Sequence, residues 1–271
     1  YHLAAAGVHG AIETPWIDQW TRRGTLFTNA WSSSNGPLEA LSAIFTGSAA
    51  RPGAGAATLA ERFAAAGWTT LAVVSSTDVS SAAGAPLLAG FERVIAPDED
   101  DLTAAQAVDA LLERVPDLAD QSLFVWLQLA DARAPYDPPQ GFRRMHYPEE
   151  ADPGSPGAGA AALPEWAEGI ADAGYVEALY AGEVTWLDRR LRPLVEHERL
   201  MRAWVAFAGT CGESLDTFGH ADFSAETLRV PLFLAGPGLA GRPVARDVGT
   251  CDLGRTLLDR AGLESSAFPG R

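Results

Sequence analysis

The chain has 271 residues, 47% of them hydrophobic and 20% charged, a balance that suits a soluble globular α/β domain with a core large enough to need no disulfides. Its 20 Lys and Arg against 35 Asp and Glu give a net charge of −15. A field of that sign repels polyanions, which excludes nucleic acid as an expected partner and leaves any sulfate or phosphate ester dependent on local cations.

In chain order, Thr14 and Pro15 read as an N-cap and first helical residue, with Gly24 expected to close that helix. Ser32, Ser33, Ser34 and Asn35 form a polar loop that caps a second helix starting at Pro37. Thr58 with Glu61 makes a capping box, and Gly67 ends the helix that follows. Residues 69–75 (TTLAVVS) are a short β-branched apolar run suited to a buried parallel strand. Thr103 with Gln106 opens another helix, which runs to Arg114, and residues 122–129 (SLFVWLQL) form the next strand. Residues 149–164 are rich in Pro, Gly, Ala and acid and read as a mobile surface insertion. A helical pattern then covers residues 166–198, strands are expected at 203–208 and 230–234, and a last amphipathic helix at 253–261. This alternation predicts a doubly wound, mostly parallel central sheet flanked by helices, in one domain spanning residues 1–271. No apolar run is long enough to cross a membrane, and the two cysteines, Cys211 and Cys251, make no disulfide framework.

Several phrases, in this order, resemble the sulfatase family of the alkaline phosphatase superfamily. Residues 14–31 (TPWIDQWTRRGTLFTNAW) are similar to the family's opening helix and the strand leading to its nucleophile. Residues 58–75, the APYDPP loop at 134–139, the helix at 180–191, ETLRVPLFLAGPG at 226–238 and the segment 251–263 resemble later family phrases. The resemblance spans nearly the whole chain and implies the family's fold. It also implies a first strand, ending in acidic metal ligands, ahead of residues 1–10 (YHLAAAGVHG), and a C-terminal subdomain beyond Arg271. The chain starts at Tyr1 with no leader, so upstream residues are expected to have been removed by processing or by choice of boundary. A central strand lacking from a parallel sheet would leave costly unpaired backbone groups, so either the native protein is longer or a partner fills the gap.

The family's chemistry needs a nucleophile at a helix N-terminus beside a divalent metal. Counting back ten residues from the Thr46-Gly47 pair places the family's nucleophile at Pro37 and its arginine at Leu41, with Glu39 adding negative charge between them. Proline has neither a nucleophilic side chain nor an N–H to cradle an anion. At the strand end where the family carries metal-binding Asp and His, residues 205–213 (VAFAGTCGE) place Thr210 and Cys211, poor donors for hard divalent cations. Arg133 stands where the family loop has a histidine. It could grip an anion, or simply form a surface salt bridge. His220 resembles another family histidine and is the second residue that could retain anion binding.

These positions predict a sulfatase-like pseudoenzyme with no cofactor or bound metal and a structural or protein-binding role, the partner being another protein. The alternatives are an ester hydrolase with a relocated site, using Ser34 or Cys211 with His220 and Asp222, or a non-catalytic anion-binding module. The resemblance also favours a location outside the cytoplasm or at a membrane.

Overall fold

A computed structural model describes residues 12–48, 55–118, 120–157, 163–220 and 222–270. Two layers of helices enclose a set of strands, the α/β architecture expected from the alternating sequence. Strand β3 (Thr69–Val74) is central to one sheet, with β4 (Arg93–Ile95) and β5 (Leu123–Gln128) parallel to it on either side. A second sheet has the order β6 (Val205–Ala208), β7 (Leu232–Ala235), β1 (Gly24–Phe27), β8 (Arg242–Val244). Within it β7 runs antiparallel to both neighbours, and β1 and β8 are parallel. Short strands β2 (Ala30–Trp31) and β9 (Val248–Gly249) form a parallel pair.

One helical layer consists of α1 (Pro15–Arg22), α5 (Ala104–Arg114) and α6 (Ala173–Glu196). Ile17, Trp20, Leu111, Leu191 and Leu194 from this layer pack with Leu71 and Val73 of β3 and Phe233 of β7. The opposite layer contains α2 (Pro37–Thr46), α3 (Leu59–Ala65) and α9 (Leu253–Arg260). Phe45, Leu59, Phe63 and Leu258 form its core, with Phe124 and Trp126 of β5 packed against them. The alternation along β5 therefore serves both layers, since Val125 and Leu127 face the first cluster. The Phe124 ring stacks on Phe63 at 4.4 Å, and Trp126 meets Phe45 edge-on at 4.4 Å.

Local signals placed several helix starts. Both capping boxes form: the Thr58 and Thr103 hydroxyls accept from the amides of Glu61 and Gln106, whose side chains reach back. Gly67 follows α3 at φ +81°, a conformation glycine adopts without strain. Elsewhere tertiary contacts override the local reading. Gly24 does not close α1: the helix ends at Arg22 and Gly24 opens β1. A Cβ on Gly24 would lie 2.2 Å from the Leu234 carbonyl oxygen, so glycine is required there for close strand approach. Thr14 sits at the N-cap position of α1 but makes no side-chain cap. The first-turn amides of Trp16 and Ile17 instead donate to the buried carboxylate of Asp188 on α6. The second helix is likewise preceded by Gly36 as N-cap, and the serine loop reaches only the Gly36 amide, through Ser34 Oγ, rather than capping the helix from the N-cap position. The helix expected from residue 166 begins at Ala173, because residues 165–167 form a separate 3-10 turn and Asp172 caps α6.

The insertion at 149–164 overlaps residues 158–162, which lie outside the described residues. Its preceding part is held by the Arg144 guanidinium, which donates to the carbonyls of Pro148, Glu149 and Ala151. Among the described residues no helix is long and apolar enough to cross a membrane.

The two sheets do not join through β5 and β6. Among the described residues β5 pairs only with β3, and β6 only with β7. Their other edges both line one cleft of about 780 Å³ between the two helical layers.

Candidate functional site

The loops following β3, β5 and β6 converge at the polar end of this cleft, beside the N-terminus of α2. Pro37 occupies the first turn of α2, where its missing N–H costs no helical bond. The Glu39 side chain folds back over Gly36: a Cβ there would sit 2.5 Å from Glu39 Oε2. A carboxylate thus lies against the helix end that would otherwise attract an anion. Leu41 is 3% exposed and packs with Val74, Val79 and Leu87, an apolar setting hostile to a cation.

Thr210 and Cys211 follow β6. The Ser32 hydroxyl donates to the Thr210 carbonyl, and Thr210 Oγ1 lies 4.0 Å from Cys211 Sγ. Burial pushes the Cys211 thiol up from its ordinary value, opposite to what an activated nucleophile needs. Ser34 Oγ accepts from the Gly36 amide at 3.0 Å. Asn35 Nδ2 donates at 2.9 Å to the backbone carbonyls of His220 and Asp222, tying that loop to the start of α2. His220 Nδ1 faces Glu213 Oε2 at 3.6 Å, beyond hydrogen-bond range, and makes no hydrogen bond among the described residues. The geometry brings Ser34, Cys211, His220 and Asp222 into neighbouring loops. It joins none of them as nucleophile and base through a hydrogen bond among the described residues.

Arg133 is engaged by two carboxylates. Its guanidinium reaches Asp78 at 2.8 Å and Asp101 at 3.2 Å, and Asp101 also accepts from the Thr77 amide and hydroxyl. This is the salt-bridge alternative for that residue, and an incoming anion would have to displace both partners.

Three residues that motif reading passed over organise the site. Glu183 on α6 accepts from the amides of Ala132 and Asp137 at 2.8 and 2.7 Å, clamping the loop that holds the cis Ala134–Pro135 bond. Burial raises its carboxyl to about 7 against the pull of those amides. The Tyr136 hydroxyl donates to the buried Glu213 carboxylate, and burial with that partner raises the phenol well above its usual value. Asp131 has a buried Oδ2 without a hydrogen bond, and desolvation raises its carboxyl despite two backbone donors. The sequence signal for Glu183 was an acidic residue on the apolar face of α6, between Leu179 and Val184.

No group of three or more His, Cys, Asp or Glu side chains that could hold a metal ion occurs among the described residues. A threonine and a raised thiol at the end of β6 do not fit a hard divalent cation. No step is derived through such an ion.

Solved structures with the same architecture belong to the alkaline phosphatase superfamily. The phosphonate monoester hydrolase of Agrobacterium radiobacter is similar with a TM-score of 0.76 and 16% identity, over 96% of this chain and 71% of that one. The candidate sulfatase yidJ of Bacteroides fragilis gives 0.76 and 15%, over 98% and 72%. The C-terminal periplasmic domain of EptC from Escherichia coli, solved with zinc, gives 0.72 and 15%, over 94% and 77%. No family model and no curated protein sequence matches the chain. The chain has the sulfatase-like fold of the alkaline phosphatase superfamily; at these identities the likeness is one of fold.

Proposed function

We propose that this chain is a non-catalytic domain on the sulfatase-like scaffold that works by holding another protein. The observation that carries the reading is the head of α2. Proline stands in its first turn, the Glu39 carboxylate lies against the helix end, and a buried leucine packs one turn further on. An oxyanion-binding helix end needs free amides, a cation and a nucleophile, and this one is furnished with the opposites. The engaged Arg133 and the raised Cys211 thiol support the same reading. The structural neighbours include hydrolases, so the competing reading is an ester hydrolase with a relocated site.

The test is turnover of p-nitrophenyl sulfate and a phenyl phosphonate monoester by the pure chain, with and without millimolar Ca²⁺, Mg²⁺, Mn²⁺ or Zn²⁺. Calorimetric titration with Ca²⁺ and Mg²⁺ accompanies it. The expected result is no metal-dependent rate above the solution reaction and no stoichiometric metal uptake. Metal-dependent hydrolysis that is lost in Ser34→Ala or Cys211→Ala would overturn the proposal in favour of the relocated site.

A further inference from the structure

The outer face of α6 collects cations that the fold itself uses little. Trp186, Arg189, Arg190 and Pro193 recur there at helical spacing, and Arg192 flanks them. Three guanidinium groups sit over aromatic rings: Arg189 over Phe142 at 4.9 Å, Arg190 over Trp186 at 5.3 Å and Arg192 over Trp16 at 4.8 Å. Phe142 meets Trp186 edge-on at 5.2 Å, so the segment after the cis bond and the helix build one platform. The rings are half-buried, whereas Arg189 and Arg192 are exposed.

Arginine elsewhere in the chain is a structural tie. Arg199 donates to the carbonyls of Leu118 and Gln121, Arg229 to the Thr28 carbonyl and Asn29, and Arg255 to the Gly270 carbonyl. On α6 the guanidinium groups have poorer partners. Arg189 forms no ion pair among the described residues, and its hydrogen bond goes to the Met145 thioether at 3.9 Å, a weak acceptor. Arg190 reaches Asp109 at 3.5 Å, and Arg192 meets Glu196 at 3.2 Å with both side chains exposed. Pairs so placed contribute little, and an arginine four residues ahead of a glutamate is the weaker order on a helix. Pro193 adds an acceptor to the face. It lies inside α6 and has no N–H, so the Arg189 carbonyl lacks its helical donor. The face therefore offers a partner both strong donors and a backbone acceptor.

Charge decides what fits there. A chain with a net charge of −15 places Arg189, Arg190 and Arg192 within one turn of a helix. Exposed acids border them, Asp109 on the α5 side and Glu196 one turn further along α6. A nucleic acid or an anionic membrane needs a longer basic track, and would meet those acids and the field of the whole chain. A short segment with a few carboxylates meets the guanidinium forks alone. Stacking on the rings already orients the guanidinium planes, so binding has little side-chain freedom left to remove. Met145, 43% exposed beside Arg189, offers contact to one apolar side chain among the acids. We propose that the outer face of α6 from Trp186 to Pro193, backed by Phe142 and Trp16, docks a short acidic segment of a partner protein, with an aromatic or aliphatic residue between its carboxylates. This names the face for the protein-holding role given above and rests on that reading.

The probe is the fluorescein-labelled peptide Gly-Glu-Asp-Phe-Asp-Glu-Gly, titrated with the full chain and followed by anisotropy. Its control, Gly-Gln-Asn-Phe-Asn-Gln-Gly, has every acid replaced by the amide. Two variants are compared with the parent, one with Arg189→Gln, Arg190→Gln and Arg192→Gln together, the other with lysine at the same three positions. The expected result is a Kd on the order of 10–100 µM at roughly 50 mM salt, weakened about tenfold by roughly 500 mM. The glutamine variant should lose about tenfold or more with its Tm kept within a few degrees, and the lysine variant about threefold or more, because an ammonium has no planar fork. A second measurement needs no variant: benzoylphenylalanine in place of the probe's phenylalanine should cross-link to Met145 or to residues 186–193. Ester turnover by the parent would count against the non-catalytic reading, whereas a failed titration counts against this face alone. The proposal is overturned by no binding, by equal binding of the amide control, by either variant binding like the parent, or by cross-links elsewhere. Tighter binding of an oligothymidylate, or of vesicles with equal parts phosphatidylserine and phosphatidylcholine, would also overturn it and give the face to nucleic acid or membrane.

Discussion

Strands β3 and β5 lie side by side in one parallel sheet, yet they differ in a way their sequences do not announce. Both are apolar runs of six residues, TTLAVV and LFVWLQ. Five residues of β3 are buried, because ladders close both of its edges and helices cover both faces. All six residues of β5 are half-buried, because one of its edges opens into the cleft. Strands β7 and β6 repeat the contrast in the other sheet. Burial in a parallel sheet is thus set by the neighbouring strand as much as by the helices above and below, and apolar content alone does not show whether that neighbour is present.

The largest expected effect measures this contrast directly. Leu71 of β3 and Leu127 of β5 face the same apolar layer, and Leu71 is fully buried. Leu71→Ala should cost about 2–5 kcal/mol in denaturant unfolding, and Leu127→Ala about half as much, since its surroundings are already open. Equal costs would break the comparison, because they would mean that β5 is covered in solution.

The next effects concern the ties at the polar end of the cleft. Glu183 has an ordinary carboxyl value of 4.5 unfolded and about 7 folded. The folded state therefore holds its proton more tightly, so this contribution is full below pH 4.5 and is lost as pH rises to 7. The loss amounts to ~3 kcal/mol at most. Stability curves measured across that window should fall, and Glu183→Gln should flatten them. A slope unchanged in the variant would assign the titration to another carboxyl. Tyr136→Phe should cost about 1–3 kcal/mol, because it leaves a buried Glu213 oxygen without its donor. It should also speed amide exchange in β6 more than in β7, sharpening the comparison. The smallest effect belongs to Arg133→Ala. Its two ion pairs are partly exposed, so the loss should stay within about 1 kcal/mol. Sulfate binding, followed by calorimetry, should not change; its loss in the variant would restore Arg133 as an anion ligand.

What the sequence made legible was local. Capping boxes at Thr58 and Thr103 and the turn at Gly67 involve residues within a few positions of one another, and they form as read. The order of helices and strands was readable for the same reason. Long-range partners were hidden. Gly24 looked like a helix stop because the carbonyl of Leu234 that demands a glycine lies on another strand. The two carboxylates that hold Arg133 come from separate loops, and the amides that Glu183 clamps lie some fifty residues before it. Motif alignment could place Pro37, Leu41, Thr210 and Cys211 relative to one another along the chain. It could not show that Glu39 folds over its own helix end or that His220 turns towards Glu213.

The Asp188 carboxylate has a further consequence, for the order in which the chain can fold as it is made. Ile17 finds its hydrogen-bond acceptor 171 residues downstream. While the chain emerges from the ribosome, the Trp16 and Ile17 amides have only water as acceptor until α6 has been synthesised. Isolated helices of eight residues do not persist in water. Helix α1, although among the first elements made, is therefore among the last to become permanent, because it waits on the middle of α6. Closing so long a loop makes folding slow, and a ribosome-bound chain halted before residue 188 should leave α1 open to proteases.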